Sequence, residues 1–128
     1  MAVFGVGTDI VSLRRIERIY ARHGEAFEKR ILSPLEQQEL GDQVGRAAFL
    51  GRRFAAKEAF AKALGTGIGS QACFTEVTIA HEGQGRPILR LSGTTRATAE
   101  RARITASHLS LADEVEYAVA YVLLVCEP

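Results

Sequence analysis

The sequence predicts an α+β fold in which an antiparallel sheet packs against one long central helix and several shorter helices. Three observations support this prediction. Helical patterns dominate residues 13–64, period-two alternation dominates after residue 74, and glycine-rich segments separate the two kinds of pattern. Helices that precede a set of strands, with one more helix among the strands, are typical of this class.

The amino terminus is predicted to form a short strand over residues 2–6, which are mostly apolar. The next three residues, Gly-Thr-Asp at 7–9, are predicted to end that strand in a turn. The turn would carry the carboxylate of Asp9 beside a rigid element, where functional groups are often found. A structural role for Asp9, as a turn or capping residue, is the alternative that the local sequence favours.

A helix is predicted over residues 13–22 because its apolar residues recur at helical spacing. Ser12 is its predicted N-cap, and Gly24 is a suitable end. Three arginines recur every four residues on another face, and we call them the arginine stripe: Arg14, Arg18 and Arg22. Like charges at this spacing repel, so a negatively charged partner would relieve the repulsion. A solvated helix face is the alternative interpretation.

Two short helical segments and one long helix are predicted next. Residues 27–32 predict a helical turn, and Ser-Pro-Leu-Glu at 33–36 predicts a helix start with a capping box. Residues 41–45 are predicted to form a loop. The longest helix is predicted over residues 46–64, with Gly65 at its end, because aromatic and aliphatic residues recur there among good helix formers.

Glu58 lies on this long helix, with Lys62 four residues later on the same face. A solvated ion pair between them, worth roughly 0.3–0.5 kcal/mol, is one interpretation. The other joins Glu58 and Asp9 as oxygen ligands of one divalent cation, since Mg²⁺ often binds one or two carboxylates, waters and substrate phosphates. The glycine-rich loop at 65–69 would let backbone amides approach phosphates, although it matches neither a P-loop nor a dinucleotide fingerprint.

The second half of the chain is predicted to be mainly strands. Residues 74–79 and 87–91 alternate with period two around a turn at 82–85, which predicts a hairpin. Three more elements are predicted after it: a helix over 94–103 and strands over 104–112 and 117–125.

Composition limits the classes of function. The 128 residues, 47% of them hydrophobic, predict a single domain over 1–128. A net charge of +1 gives no global attraction to nucleic acid or membranes, and we expect neither partner. The sequence shows no zinc-ligand spacing, nucleophile elbow, secretory signal or membrane span. Two cysteines, Cys73 and Cys126, are predicted to be reduced and buried, which favours a cytoplasmic protein.

Two blocks of sequence carry a resemblance to a known family. Residues 5–11, GVGTDIV, resemble its opening signature, and residues 53–63, RFAAKEAFAKA, with GTG at 65–67, resemble its central helix and loop. Supporting similarities are GRP at 85–87 and SHLSLADE at 107–114. With these segments in the family's order and spacing, the chain resembles the holo-[acyl-carrier-protein] synthases, a family of 4′-phosphopantetheinyl transferases, along nearly its whole length.

The resemblance implies a magnesium-dependent enzyme that transfers the 4′-phosphopantetheine group of coenzyme A to a serine of apo acyl carrier protein, in support of fatty acid biosynthesis. It implies that Asp9 and Glu58 hold Mg²⁺, and that Lys62 and His108 contact coenzyme A phosphates beside the loop at Gly65. It also implies that the acidic carrier docks on the arginine stripe. A homotrimer is expected, with sites at subunit interfaces, where His108 would serve a neighbour's site.

The implied chemistry is phosphoryl transfer, in which positioning and charge neutralisation supply most of the catalysis. Asp9, Glu58 and Lys62 are the expected catalytic residues. The group that takes the serine proton stays open between a metal-associated water and Glu58. A non-catalytic adaptor that binds an acidic protein through the arginine stripe is the competing interpretation, and it explains neither carboxylate.

Overall fold

The computed structural model describes residues 1–41 and 45–128 and confirms the predicted α+β class. The predicted loop at 41–45 lies partly outside these residues. A three-stranded antiparallel sheet has the order β1-β5-β4, with β1 at Ala2–Ser12, β4 at Ile104–Asp113 and β5 at Tyr117–Cys126. The predicted hairpin is present as a separate antiparallel pair, with β2 at Val77–Glu82 and β3 at Arg86–Leu91.

The predicted helices are present, α4 with the predicted bounds and the others with ends that differ by up to two residues. They are α1 at Leu13–His23, α2 at Glu25–Ile31, α3 at Pro34–Leu40, α4 at Arg46–Leu64 and α5 at Gly93–Arg101. The Ser12 hydroxyl accepts a hydrogen bond from the Arg15 amide, and Ser33 forms the predicted capping box with Glu36. Gly65 ends α4 with a φ of 88°, a left-handed conformation that favours glycine.

Strand β1 is longer than predicted, and the turn predicted at 7–9 is wrong. Residues 5–12 pair without interruption with β5, and Asp9 lies opposite Ala120. Gly5 and Gly7 face α4, where a Cβ on Gly7 would overlap the carbonyl oxygen of Ala59. These glycines therefore allow a strand and a helix to approach closely, and they do not form a turn.

The strand predicted at 74–79 begins later, at Val77, because residues Phe74–Glu76 form a 3₁₀ turn. The carboxylate of Glu76 accepts hydrogen bonds from the amides of Thr94 and Thr95, at the start of α5. This segment therefore caps the next helix and does not extend the hairpin.

Helix α4 forms the centre of the core and packs against β1, β5 and α1. Its alanines let the sheet approach closely, and Phe49, Leu50 and Phe60 fill the remaining space with almost complete burial. The inner face of the sheet is the one that lies against α4, and it includes Gly7, Asp9 and Ala120 by strand alternation.

A buried ionic cluster crosses this core. Lys57 and Glu36 are both 0% exposed, and Lys57 Nζ lies 2.5 Å from Glu36 Oε1. The same Nζ donates to the carbonyl oxygens of Ile31 and Phe74, and Glu36 Oε2 accepts from the Ile79 amide. Burial lowers the pKa of Lys57 to about 8, against the opposing charge of Glu36. The cluster joins α2, α3, α4, the 3₁₀ turn and the hairpin.

The outer face of the three-stranded sheet carries exposed apolar side chains. On β1 and β5 these include Val6, Ile10, Val119 and Tyr121, which are 37–62% exposed. The strand register places them on the side opposite α4, because residues that alternate with them in β5, such as Ala120, are buried. An apolar surface of this kind is typical of an interaction site.

Two further expectations concern the thiols and the membrane. Cys73 and Cys126 are unpaired, as predicted, but both are only half-buried, so the prediction that they are fully buried is wrong. In the described ranges, no helix combines the length and the apolar character that a membrane span requires.

Candidate active site

Three charged side chains meet where β1 crosses α4. Asp9 lies on the inner face of β1, and Glu58 and Lys62 lie one turn apart on α4. Lys62 Nζ donates to Asp9 Oδ1 at 3.0 Å and to the Thr8 carbonyl oxygen at 2.9 Å. The proposed surface ion pair of Lys62 with Glu58 is thus replaced by an ion pair with Asp9. The structure brings together residues that are far apart in the sequence.

The pKa of Glu58 responds to the other charges of this cluster. Burial raises the pKa of its carboxyl group, the negative charge of Asp9 raises it further, and the charge of Lys62 opposes both effects. The two carboxylates therefore repel each other, and a cation bound between them would relieve that repulsion. No group of three or more His, Cys, Asp and Glu side chains at metal-binding spacing occurs in the described part of the chain.

The backbone amides of the glycine-rich loop after α4 were predicted to approach phosphates, but three of them are bonded within the chain. The amides of Gly65, Thr66 and Gly67 all donate to the carbonyl oxygen of Ala61, at 3.0–3.2 Å. They satisfy the end of the helix and are therefore engaged within the chain. Gly65 nevertheless lies within one turn of Lys62 and is exposed. A ligand that reaches this loop would meet Lys62 and exposed backbone.

His108 lies on the other side of the sheet from Asp9. It pairs with Leu123 of β5, which pairs in turn with Val6 of β1, whereas Asp9 pairs with Ala120. Ala120 and Leu123 are three positions apart along β5, an odd offset, so the side chains paired with them point to opposite faces. His108 is exposed and lines a small cavity of about 90 Å³ with Arg86 and Pro87. It does not join the Asp9 cluster within one protomer.

The arginine stripe is exposed, on a helix that also contributes Ile19 and His23 to the lining of a larger cavity. Arg14, Arg18 and Arg22 are all exposed on α1. Beside them is a cavity of about 550 Å³ that we call the α1–α2 cavity. Its lining consists of apolar side chains from α1, α2, α4 and the 3₁₀ turn and of three polar or charged side chains, His23, Arg30 and Glu58.

Two aromatic rings form one wall of the α1–α2 cavity. Phe54 of α4 and Phe74 of the 3₁₀ turn stack with their ring centroids 5.5 Å apart. The cavity was not predicted, because its walls come from four segments that are separated in the sequence. The only signal in the sequence was that Phe54 precedes Glu58 by one helical turn, which places both on one face.

Comparison with known protein families supplies the decisive observation. Residues 5–122 match the model of the 4′-phosphopantetheinyl transferase superfamily. The chain belongs to this superfamily. The matched range includes the Asp9 cluster, the α1–α2 cavity and His108, so the whole candidate site lies within the part that defines the family.

Relatives within the superfamily cover nearly the whole chain. The holo-[acyl-carrier-protein] synthase of Halorhodospira halophila is 46% identical over 96% of this chain and 98% of its own. That of Photorhabdus laumondii is 47% identical over 97% and 98%. The crystal structure of the Neisseria meningitidis enzyme has a TM-score of 0.92 at 40% identity and covers 96% of this chain and 98% of its own.

Solved phosphopantetheinyl transferases with a bound nucleotide are also similar. The Bacillus anthracis synthase in complex with CoA (3′,5′-ADP) has a TM-score of 0.82 at 35% identity, over 99% of this chain and all of its own. The Helicobacter pylori synthase in complex with coenzyme A has the same TM-score at 31% identity, over 94% and 99%. The predicted family and enzyme class are confirmed, and the roles of individual residues stay predictions.

Proposed function

We propose that this phosphopantetheinyl transferase moves the 4′-phosphopantetheine group of coenzyme A to a serine of apo acyl carrier protein, in the cytoplasm, in support of fatty acid biosynthesis. Its relatives are named holo-[acyl-carrier-protein] synthase, and similar structures hold coenzyme A. The observation that carries the proposal is the meeting of Asp9, Glu58 and Lys62 between β1 and α4. Two carboxylates beside a lysine suit a metal ion and a diphosphate.

Asp9 and Glu58 are the residues that would hold Mg²⁺. Their mutual repulsion, seen in the raised pKa of Glu58, supports a cation between them. Two carboxylates also suit a small, hard ion that completes its ligand shell with waters and substrate phosphates. When bound, the ion would neutralise charge on the diphosphate of coenzyme A and make its β-phosphorus a better electrophile.

The chain's own groups position the reaction. The carrier serine oxygen forms a bond to the β-phosphorus while the bond from that phosphorus to the bridging oxygen breaks, and adenosine 3′,5′-bisphosphate leaves. Lys62, half-exposed beside Asp9, would share the negative charge of the leaving group, with the Gly65 loop next to it. The serine proton goes either to Glu58, whose raised pKa suits a base, or to a water.

The faces of the sheet support a homotrimer with shared sites. His108 points away from Asp9, so it can contact the coenzyme A phosphates only at the Asp9 cluster of another subunit. The exposed apolar side chains on the same face, including Val119 and Tyr121, would be covered by neighbouring copies. Sedimentation of the active protein tests this assembly, because an active monomer would refute it.

The carrier protein is proposed to dock on the arginine stripe and on the α1–α2 cavity beside it. The exposed guanidinium groups attract an acidic partner, and the apolar cavity walls would receive an apolar side chain of that partner. Glu58 lines this cavity, so a serine carried by the docked protein would approach the Asp9 cluster. The double substitution Arg14→Glu with Arg18→Glu should raise the apparent KM for carrier, whereas Arg96→Glu on α5 should not.

The deciding experiment mixes the protein, coenzyme A, Mg²⁺ and an apo acyl carrier protein and follows the carrier by mass spectrometry. Transfer adds the phosphopantetheine mass, whereas an adaptor would leave the carrier unchanged. Asp9→Ala and Glu58→Ala should each lower kcat/KM at least about 100-fold with the fold intact. Glu100→Ala, an exposed carboxylate on α5, is the control. Calorimetry should show weaker Mg²⁺ binding, in the presence of coenzyme A, to both site variants. Full activity in either variant would refute the metal assignment.

A further inference from the structure

Lys57 joins two walls of the α1–α2 cavity without lining the cavity itself. Its Nζ donates to the Ile31 carbonyl oxygen at 2.6 Å, at the end of α2, and to the Phe74 carbonyl oxygen at 3.0 Å, in the 3₁₀ turn. The side chains of Ile31 and Phe74 both line the cavity. Glu58, the next residue along α4, lines the same cavity.

The convergence of acceptors on one cation explains why these walls depend on Lys57. Two carbonyl oxygens and the Glu36 carboxylate point at the same Nζ, in an interior where Lys57 is 0% exposed. Without the ammonium group, these acceptors would lose their shared donor and repel one another in a medium of low dielectric constant. The ends of α2 and of the 3₁₀ turn would then separate, because water must enter to satisfy them.

We infer that Lys57 is a positioning residue that fixes the width of the α1–α2 cavity, and through it the affinity for the apolar side chain of the docked carrier protein. Lys57 contacts no substrate, since Nζ is enclosed by Ile31, Glu36 and Phe74. Because this role rests on the proposed function, its test compares two Michaelis constants of one reaction. The carrier is proposed to use the cavity, whereas coenzyme A is proposed to bind beside Lys62.

The kinetic test uses Lys57→Met with two matched controls. Lys57→Met should raise the apparent KM for carrier about tenfold and change the KM for coenzyme A less than about twofold. Glu36→Gln removes the charge of the pair but keeps Lys57 and both of its carbonyl bonds. With its amide oxygen at the Oε1 position it also keeps the bond from Nζ, and only the Ile79 amide of the hairpin loses its acceptor, so both constants should stay within about twofold of the wild type. Leu124→Ala truncates a fully buried side chain towards the other end of the sheet and should likewise leave both constants unchanged.

A second readout does not depend on activity. Nuclear Overhauser effects between the rings of Phe54 and Phe74, which stack at 5.5 Å, should weaken in Lys57→Met and persist in Glu36→Gln and Leu124→Ala. If Lys57→Met does not fold, Lys57→Gln carries the same test, because its shorter side chain cannot reach both carbonyl oxygens. These ring contacts need no substrate.

The outcomes separate this role from the proposed function. Wild-type protein that transfers nothing to the carrier would refute the proposed function, and the ring contacts would still report on the cavity. Wild-type transfer together with an unchanged carrier KM in folded Lys57→Met or Lys57→Gln would overturn the role of Lys57. Equal increases of carrier KM in Lys57→Met and Leu124→Ala would also overturn it, because the effect would then follow stability alone.

Discussion

Lys57 and Lys62 lie five residues apart on α4, and each bonds a carboxylate, yet their surroundings differ completely. Lys57 is 0% exposed, and its bonds to Glu36, Ile31 and Phe74 engage acceptors that belong to the fold. The Lys62 side chain is 52% exposed, and that of its partner Asp9 is 17% exposed and interacts with Glu58 as well. A lysine–carboxylate pair stabilises the fold where it is buried, as Lys57–Glu36 is. Where it is exposed to water, as Lys62–Asp9 is, its charged groups stay available to a ligand.

Removing each lysine in turn is the strongest test of the difference between buried Lys57 and exposed Lys62. Lys57→Met should lower the free energy of unfolding by about 3–5 kcal/mol, because buried Glu36 then keeps only the more distant guanidinium of Arg53, 3.8 Å from Oε2. Lys62→Met should lower it by less than about 1 kcal/mol, since the exposed pair is screened by water. Urea denaturation, with the slope of the transition checked for constancy, measures both values. Similar losses for the two variants would contradict the distinction.

The contact between β1 and α4 decides whether the Asp9 cluster forms at all. Gly7→Ala should lower the free energy of unfolding by about 1–3 kcal/mol, because the new Cβ overlaps the Ala59 carbonyl oxygen and forces strand and helix apart. The movement would separate Asp9 from α4, so transfer per folded molecule should fall at least about tenfold.

Gly69→Ala is the matched control for that substitution. A Cβ at Gly69 would meet no atom within 4 Å, and the residue needs no left-handed backbone. Its unfolding free energy should stay within about 0.5 kcal/mol of the wild type. If Gly7→Ala retained both full stability and full activity, close approach at this strand would have no bearing on the site.

Much of the fold could be predicted because its signals are local. The capping box at Ser33 and Glu36, the alanine-rich pattern of α4 and the end of that helix at Gly65 all depend on neighbours in the sequence. The hairpin of β2 and β3 was likewise predicted from alternation around a glycine-containing turn. These elements have the residues and the limits that the pattern predicts, to within a few positions.

What the sequence analysis predicted wrongly or missed depends on contacts between distant segments. Gly7 was interpreted as a turn residue because its sequence does not reveal that Ala59 lies against it. The burial of Lys57 was not predicted, since it requires acceptors from α2, α3 and the 3₁₀ turn. The pairing of Asp9 with Glu58 as metal ligands was one of two interpretations that the residues allowed; the family resemblance favoured it, and it stays a prediction.

Glu76 is a carboxylate whose hydrogen-bond donors are uncharged, whereas Glu36 and Asp9 each accept from a lysine. Hydrogen bonds from the Thr95 hydroxyl and from the amides of Thr95 and Thr94 lower the pKa of Glu76. A lowered pKa contributes stability above the unfolded-state value, near 4.5, and that stability is lost as the pH falls through the folded-state value.

Glu76→Gln should therefore lower the free energy of unfolding by about 1 kcal/mol at pH 7, as expected for a weakened helix cap. The difference from the wild type should shrink as the pH falls from about 5 to about 3. Urea denaturation at each pH measures it. A difference that stayed constant over this range would show that the charge of Glu76 contributes nothing.

Glu58→Gln gives the smallest expected effect and the opposite sign. Burial and then the charge of Asp9 raise the pKa of Glu58, so its contribution to stability is present below the unfolded-state pKa and lost as the pH rises through the folded-state pKa. At pH 7 without Mg²⁺, the substitution should raise the free energy of unfolding by roughly 0.2–0.5 kcal/mol, a small gain because water screens this partly exposed group. The gain should vanish below about pH 4.

The sign of this last effect distinguishes a functional carboxylate from a structural one. If Glu58 serves the fold as Glu36 does, Glu58→Gln would destabilise the protein at pH 7, and the addition of Mg²⁺ would change neither protein. If it serves the transfer, the variant would be the more stable protein in metal-free buffer, and Mg²⁺ with coenzyme A would raise the melting temperature of the wild type more than that of the variant. Thermal unfolding with and without these ligands separates the two cases. Only if the Asp9 and Glu58 carboxylates repel each other in the metal-free protein does the cation stabilise the wild type more than Glu58→Gln.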